Sequence, residues 1–212
     1  MPGRSRRQRR AASNRGGAPQ SPPSGTSDES RRAVRPSRRL RREEHQDRIA
    51  TRVRSIRTLT VALVFVIVIA VSGVLLAGDG WQEWYEGLQK PSWLIPLWAF
   101  FPVAALVYAL GVFLLYRINS RAHGNSRRTR WWLLTLTVLM LVGNEVWNYL
   151  FLGRQSVDGG FLGMLLFAPI VAALWLALWK AHRRIEWLLL TPYLLWIAYD
   201  IAWTFEVWRL NG

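Results

Sequence analysis

The chain has 212 residues, 28 Lys and Arg against 13 Asp and Glu, a formal charge of +15, and no Cys. The lack of Cys excludes a disulfide framework, a thiolate nucleophile and Cys-ligated metal, and the three His (His45, His123, His182) lie in polar stretches that do not suit a His-built metal centre or triad. A pI near 11.5 points to nucleic acid only where cations cover a folded surface. Here residues 1–57 hold 17 Arg and five acids, so the tail carries +12 and the rest of the chain only +3. The excess belongs to the tail, and no nucleic-acid partner is expected.

Residues 1–57 are rich in Arg, Ser, Pro and Gly, with too few large apolar side chains to offset the entropy of ordering the backbone. They read as a disordered cytoplasmic tail to about Ser37, drawn to anionic lipid, with 38–57 able to form a basic helix that runs to the bilayer surface. Residues 58–78 follow without a charge, long enough at about 1.5 Å per residue to cross a hydrocarbon core of roughly 30 Å. Four further spans are expected at about 94–116, 131–153, 161–180 and 187–208. Runs of this length do not alternate as barrel strands do, so the fold class expected is an all-α, five-helix membrane bundle over 58–212.

Lys and Arg number 17 in the tail, one in 79–93, five in 117–130, one in 154–160, three in 180–186 and one at the end. High and low counts alternate, and by the positive-inside rule the N-terminus is cytoplasmic and the C-terminus lies on the opposite side. The Arg-over-Lys, Cys-free composition suits a bacterial cell membrane.

Thirteen Trp carry the functional signal. Trp81, Trp84, Trp93, Trp131, Trp132, Trp187 and Trp208 fall near span ends, where aromatic belts anchor helices. Further in, Tyr193, Trp196, Asp200, Trp203 and Val207 share one face of the fifth span, and Asn144, Trp147, Asn148 and Phe151 share one face of the third. Glu145 and Asp200 are intramembrane acids with no Lys or Arg inside a span to pair with. Either each is a neutral acid bonded to a neighbouring helix, or it faces a wet cavity. Three Pro (Pro91, Pro96, Pro102) break the first loop, which then folds over the bundle mouth as a lid or remains an ordinary loop before a kinked helix. Gly73, Ala70 and Ala77 form a small-residue strip that permits close helix approach.

The run Trp84-Tyr85-Glu86-Gly87-Leu88-Gln89-Lys90-Pro91-Ser92-Trp93, with Pro96 beyond, resembles the WYxxLxKPxWxPP signature of the TspO/MBR family. Asn144, Trp147, Phe151 and Gly153 are similar to its third-helix block, and Pro192-Tyr193-Leu194 with Trp196 is similar to the PYLxW block at the start of its fifth helix. The resemblance implies a homodimeric membrane receptor or transporter whose pocket takes porphyrin, haem, sterol or other hydrophobic ligands, with no resident cofactor. Carried over with the periodicity, the candidate ligand-binding set is Trp84, Tyr85, Trp93, Asn144, Trp147, Phe151, Tyr193, Trp196, Asp200 and Trp203. Asp200 stands where the family has Ala or Thr, and Phe205 and Glu206 replace the Tyr region of its sterol pattern, which speaks against cholesterol. Two alternatives stay open: photo-oxidative porphyrin breakdown, and proton-coupled transport through Glu145 and Asp200.

Overall fold

The computed structural model of the chain describes residues 38–120 and 126–212. The expected disordered segment 1–37 and the loop positions Arg121 and His123 lie outside the described residues. Residues 48–212 form one compact unit, the bundle.

Helix α1 spans Arg38–Ala77, α2 Trp81–Gly87, α3 Phe100–Asn119, α4 Arg127–Asn148, α5 Val157–Lys180 and α6 Arg184–Asn211. A short 3-10 turn, Leu97–Ala99, leads into α3, and a π-helical turn, Tyr149–Gly153, extends α4. Five helical segments are long and apolar enough to cross a membrane: His45–Ala77, Leu97–Asn119, Arg127–Gly153, Val157–Lys180 and Arg184–Asn211. The protein is therefore the five-helix, multi-pass bundle that the apolar runs predict, with α2 between the first two spans.

Local chemistry sets the ends. Gly78 and Gly80 adopt φ of 64° and 78°, a left-handed geometry that stops α1 and turns the chain into α2. Ser126 caps α4 by accepting from the Thr129 N–H at 3.1 Å, and Ser156 caps α5 by accepting from the Gly159 N–H at 3.0 Å. Pro192 sits well inside α6, which begins at Arg184, rather than at the start of the fifth helix as the motif suggested. The missing Pro N–H is tolerated because α6 is long and held on both sides by neighbouring helices.

Burial follows the helical period. Val107, Gly111, Leu114 and Ile118 of α3, Val171, Leu174 and Leu178 of α5, and Leu190, Tyr193 and Ile197 of α6 meet in one core. Helix α1 is the outlier, for Val61, Val64, Val68 and Val71 are exposed on one side of it and only small groups such as Ala62, Val66 and Gly73 are buried. A Cβ on Gly153 would overlap the Leu76 carbonyl oxygen, so the end of α1 lies directly against the π-helical turn.

Antiparallel alternation brings the C-termini of α3 and α5 and the N-termini of α4 and α6 to one end, together with the Arg-rich part of α1, whose Ser55 hydroxyl meets Tyr116 of α3 at 2.5 Å. Arg117 and Arg183 entered the sequence reading only as markers of sidedness, yet they build a buried cluster there. Arg183 donates to Glu186 Oε1 at 3.0 Å and to the Arg117 carbonyl at 3.2 Å, while Arg117 Nε donates to the same carboxyl oxygen at 3.1 Å. The side chains of Arg183 and Glu186 are 2% and 1% exposed. Removing the acid takes the carboxylate away from a buried guanidinium, which costs roughly 3 kcal/mol. A Glu186→Ala chain in detergent is expected to melt at a clearly lower temperature than the parent, with Glu186→Gln intermediate. An unchanged melting temperature would show that the cluster contributes nothing to stability.

Candidate ligand-binding cavity

At the opposite end the helices splay around a cavity of about 570 Å3, a size suited to a small organic ligand. Its walls come from the end of α1 (Ala70, Gly73, Ala77), from α2 (Trp81, Tyr85), from the start of α3 (Phe100, Phe101, Tyr108) and from α4 with its π-helical turn (Glu145, Trp147, Asn148, Phe151), and Trp203 of α6 closes it. Helix α2 caps the space from outside the spans.

The aromatic wall is built around Phe151, which the π-helical turn carries into the interior at 2% exposure. Such turns insert one residue into the helical register and re-aim the side chains that follow. Trp147 stacks on Phe151 with centroids 5.6 Å apart and an interplanar angle of 18°, whereas Trp84, Tyr85 and Trp203 meet it edge-on at 5.3, 6.3 and 5.4 Å. Phe100 extends the group, 5.6 Å from both Trp196 and Trp203. The Trp147 indole donates to the Gly160 carbonyl at 2.8 Å, which fixes its rotamer against α5. Burial, and after it the nearby Tyr199 phenol, pushes the Tyr85 phenol up to about 12, so Tyr85 presents a neutral hydroxyl.

Glu145 forms the polar corner. Its Oε1 accepts from the Tyr108 hydroxyl at 2.6 Å and from Asn144 Nδ2 at 3.1 Å, and its Oε2 accepts from Asn148 Nδ2 at 3.2 Å. A Cβ on Gly73 would overlap this carboxyl, so the glycine lets the α1 backbone and the acid approach. The strip Ala70, Gly73 and Ala77 lines the cavity, and Gly73 lies directly against Glu145 of α4.

The ten candidate positions divide. Tyr85, Trp147, Phe151 and Trp203 line the cavity. Asn144, Tyr193, Trp196 and Asp200, again with Trp147, line a separate void of about 100 Å3 deeper between α3, α4, α5 and α6. There Asp200 accepts from the Trp203 indole at 2.8 Å, and the Tyr193 hydroxyl donates to Asn144 Oδ1 at 3.4 Å. Asp200 is thus set behind the large cavity, one hydrogen bond away from its wall. Trp84 packs on Phe151 from outside the cavity lining, and Trp93 is 47% exposed, edge-on to Tyr199 at 5.7 Å. Phe100 and Tyr108 were not singled out in sequence. The signal for Tyr108 was a polar ring tip inside an otherwise apolar span.

The first loop is tied down from the far end of the chain. Asn211 accepts from the Gln89 N–H at 2.8 Å and donates to the Gln89 carbonyl at 2.9 Å, while the Tyr199 hydroxyl accepts from the Ile95 N–H at 3.1 Å. Both residues belong to α6, so the last helix holds the segment that follows α2.

Five membrane-spanning helices, a capping helix in the first loop and an aromatic cavity under it define a class of small, tryptophan-rich integral membrane proteins. The sequence profile of the TspO/MBR family matches residues 60–209, and the chain belongs to that family. It is similar to Protein CrtK of Rhodobacter capsulatus, 30% identical over 158 residues that cover 73% of this chain and 94% of the relative. It is likewise similar to Tryptophan-rich protein TspO of Archaeoglobus fulgidus, 29% identical with 74% and 99% covered, and to the human Translocator protein, 31% identical with 63% and 78% covered.

Two hydrogen bonds to one backbone unit hold the loop with roughly 1 kcal/mol each. In an Asn211→Ala chain the amides of residues 88–97 are expected to exchange with deuterium about tenfold faster, with the core of the bundle unchanged. Equal protection in the two proteins would mean that the Asn211 clasp does not restrain the loop.

Proposed function

We propose that this protein is a membrane receptor or transporter that binds a flat hydrophobic molecule, a porphyrin of haem type or a smaller aromatic, in the cavity under α2. One observation carries the reading: a space of about 570 Å3 walled by Tyr85, Phe100, Trp147, Phe151 and Trp203. Aromatic faces stack on a planar ring, and the polar corner at Tyr108, Glu145 and Asn148 offers its N–H groups an acceptor. The names of relatives, Translocator protein and Tryptophan-rich sensory protein, support reception or transport over a purely structural role. The N-terminus is assigned to the cytoplasm, because the Arg-rich ends gather on one side of the bundle.

Proton-coupled transport is a second reading, favoured by the run Tyr108, Glu145, Asn144 and Tyr193, which are linked by hydrogen bonds across α3, α4 and α6. Uptake into proteoliposomes that ignores a pH gradient would remove it.

Protoporphyrin and cholesterol, titrated side by side into the purified protein, test the main reading through Trp fluorescence. Saturable quenching by the porphyrin alone is expected, weakened about tenfold in Phe100→Ala, which removes one wall, and nearly unchanged in Asp200→Asn, which lies behind it. Equal affinity in Phe100→Ala and the parent would overturn the assignment of the cavity. Loss of the porphyrin spectrum in light but not in dark would show turnover in place of binding.

A further inference from the structure

A residue that lines an internal cavity and is also exposed marks a place where the wall is open. Tyr85, Phe151 and Trp203 line the cavity from buried positions, whereas Val74 of α1 and Phe101, Ala104 and Ala105 of α3 line it and are exposed. The opening therefore runs between α1 and α3, and it continues upward to Gly78 and Gln82. Ala105 lies eight residues into the span that starts at Leu97, roughly 12 Å along it at about 1.5 Å per residue, so the slot faces acyl chains and not water. Its edges are small or apolar and hold by dispersion alone. The water-facing end is fastened more firmly, since Asn211 makes two hydrogen bonds to Gln89 and Tyr199 accepts one from Ile95. Helix α1 is tied to α3 at the other end of the bundle, through Ser55 and Tyr116.

We propose that α1 is a lateral gate, hinged where Ser55 meets Tyr116, and that it admits flat ligands already dissolved in the leaflet away from the Arg-rich end. The inference rests on the cavity being a ligand site and adds the route into it and the class of molecule that takes that route, one that partitions into acyl chains. A helix satisfies its own backbone, so α1 moves through lipid as a rigid rod without breaking a backbone hydrogen bond. Val74 lies 19 residues from Ser55, a lever of roughly 28 Å, and a tilt of about 10° there widens the slot by roughly 5 Å. That exceeds the thickness of a flat ring, about 3.5 Å. Gly73 against Glu145 is the seat on which the gate closes.

The chain has no Cys, so an introduced pair is the one place a thiol reagent joins. Val74→Cys with Ala105→Cys sets a thiol on each side of the slot, and Gln89→Cys with Asn211→Cys sets a pair across the loop clasp. Each full-length protein is placed in uncharged vesicles, loaded with protoporphyrin and mixed with an excess of empty vesicles. Recovery of Trp fluorescence then reports release, before and after a short, reducible bifunctional reagent joins the pair. Tethering α1 to α3 is expected to slow release about tenfold or more, with recovery on reduction, whereas tethering residues 89 and 211 changes it by less than about twofold. Ala105→Phe narrows the slot without a reagent and is expected to slow arrival and release together, which weaker binding alone does not do. Exchange that ignores both the α1–α3 tether and Ala105→Phe, or that stops when only the loop is tethered, overturns the proposal and leaves the cavity reading standing. No saturable quenching of the parent by protoporphyrin overturns both.

Discussion

A carboxyl placed among apolar helices without a cation is the constraint around which the upper half of this bundle is organised. Lipid offers no hydrogen bonds, so every group that Glu145 needs has to come from the protein. Tyr108 comes from α3, Asn144 and Asn148 come from α4, and α1 contributes the absence of a side chain at Gly73. Three helices are thereby set in register at one level. The cavity beside them is the space left once α1 is held by contacts this small, and the π-helical turn that ends α4 fills its floor with Phe151.

The fold was legible because the bilayer imposes a single length on every span and the charge pattern separates the loops. The wall of the cavity was legible in part. A period of three and four put Trp147 with Phe151, and Trp203 with Asp200, on their shared faces, and both faces turn inward, the first half-buried and the second mostly buried. Periodicity fixes a face but not which void it turns to. Asp200 and Trp196 therefore lie behind the wall, one and two turns from Trp203, which forms it. Partnership across the bundle was not legible at all. Nothing in the second span announces that Tyr108 answers an acid 37 residues later, and small residues at Ala70 and Gly73 signal close approach without saying to what. The π-helical turn was equally hidden, since its sequence continues the helical pattern.

The two ends of the bundle use ionisable groups in opposite ways. At the Arg-rich end, Glu186 accepts from two guanidinium groups at one carboxyl oxygen and joins the turn between α5 and α6 to the end of α3. At the cavity end, Glu145 has donors but no ion. The first arrangement joins an acid to two cations and is suited to holding helices together, and the second satisfies an acid with neutral donors alone among the described residues. The same residue type thus serves two separate sites, one at each end of the bundle.

Two residues of the cavity rim, Val74 and Phe101, are 75% and 57% exposed on the side walls of α1 and α3, where acyl chains surround the protein. An occupant arriving by that route comes from the bilayer and not from water. Its occupancy then depends on its mole fraction in lipid, so a sparingly soluble compound saturates the site at a bulk concentration that reflects partitioning more than contact energy. Apparent affinities accordingly scale with the amount of lipid or detergent present, and compounds are compared fairly only at equal concentration in the membrane phase.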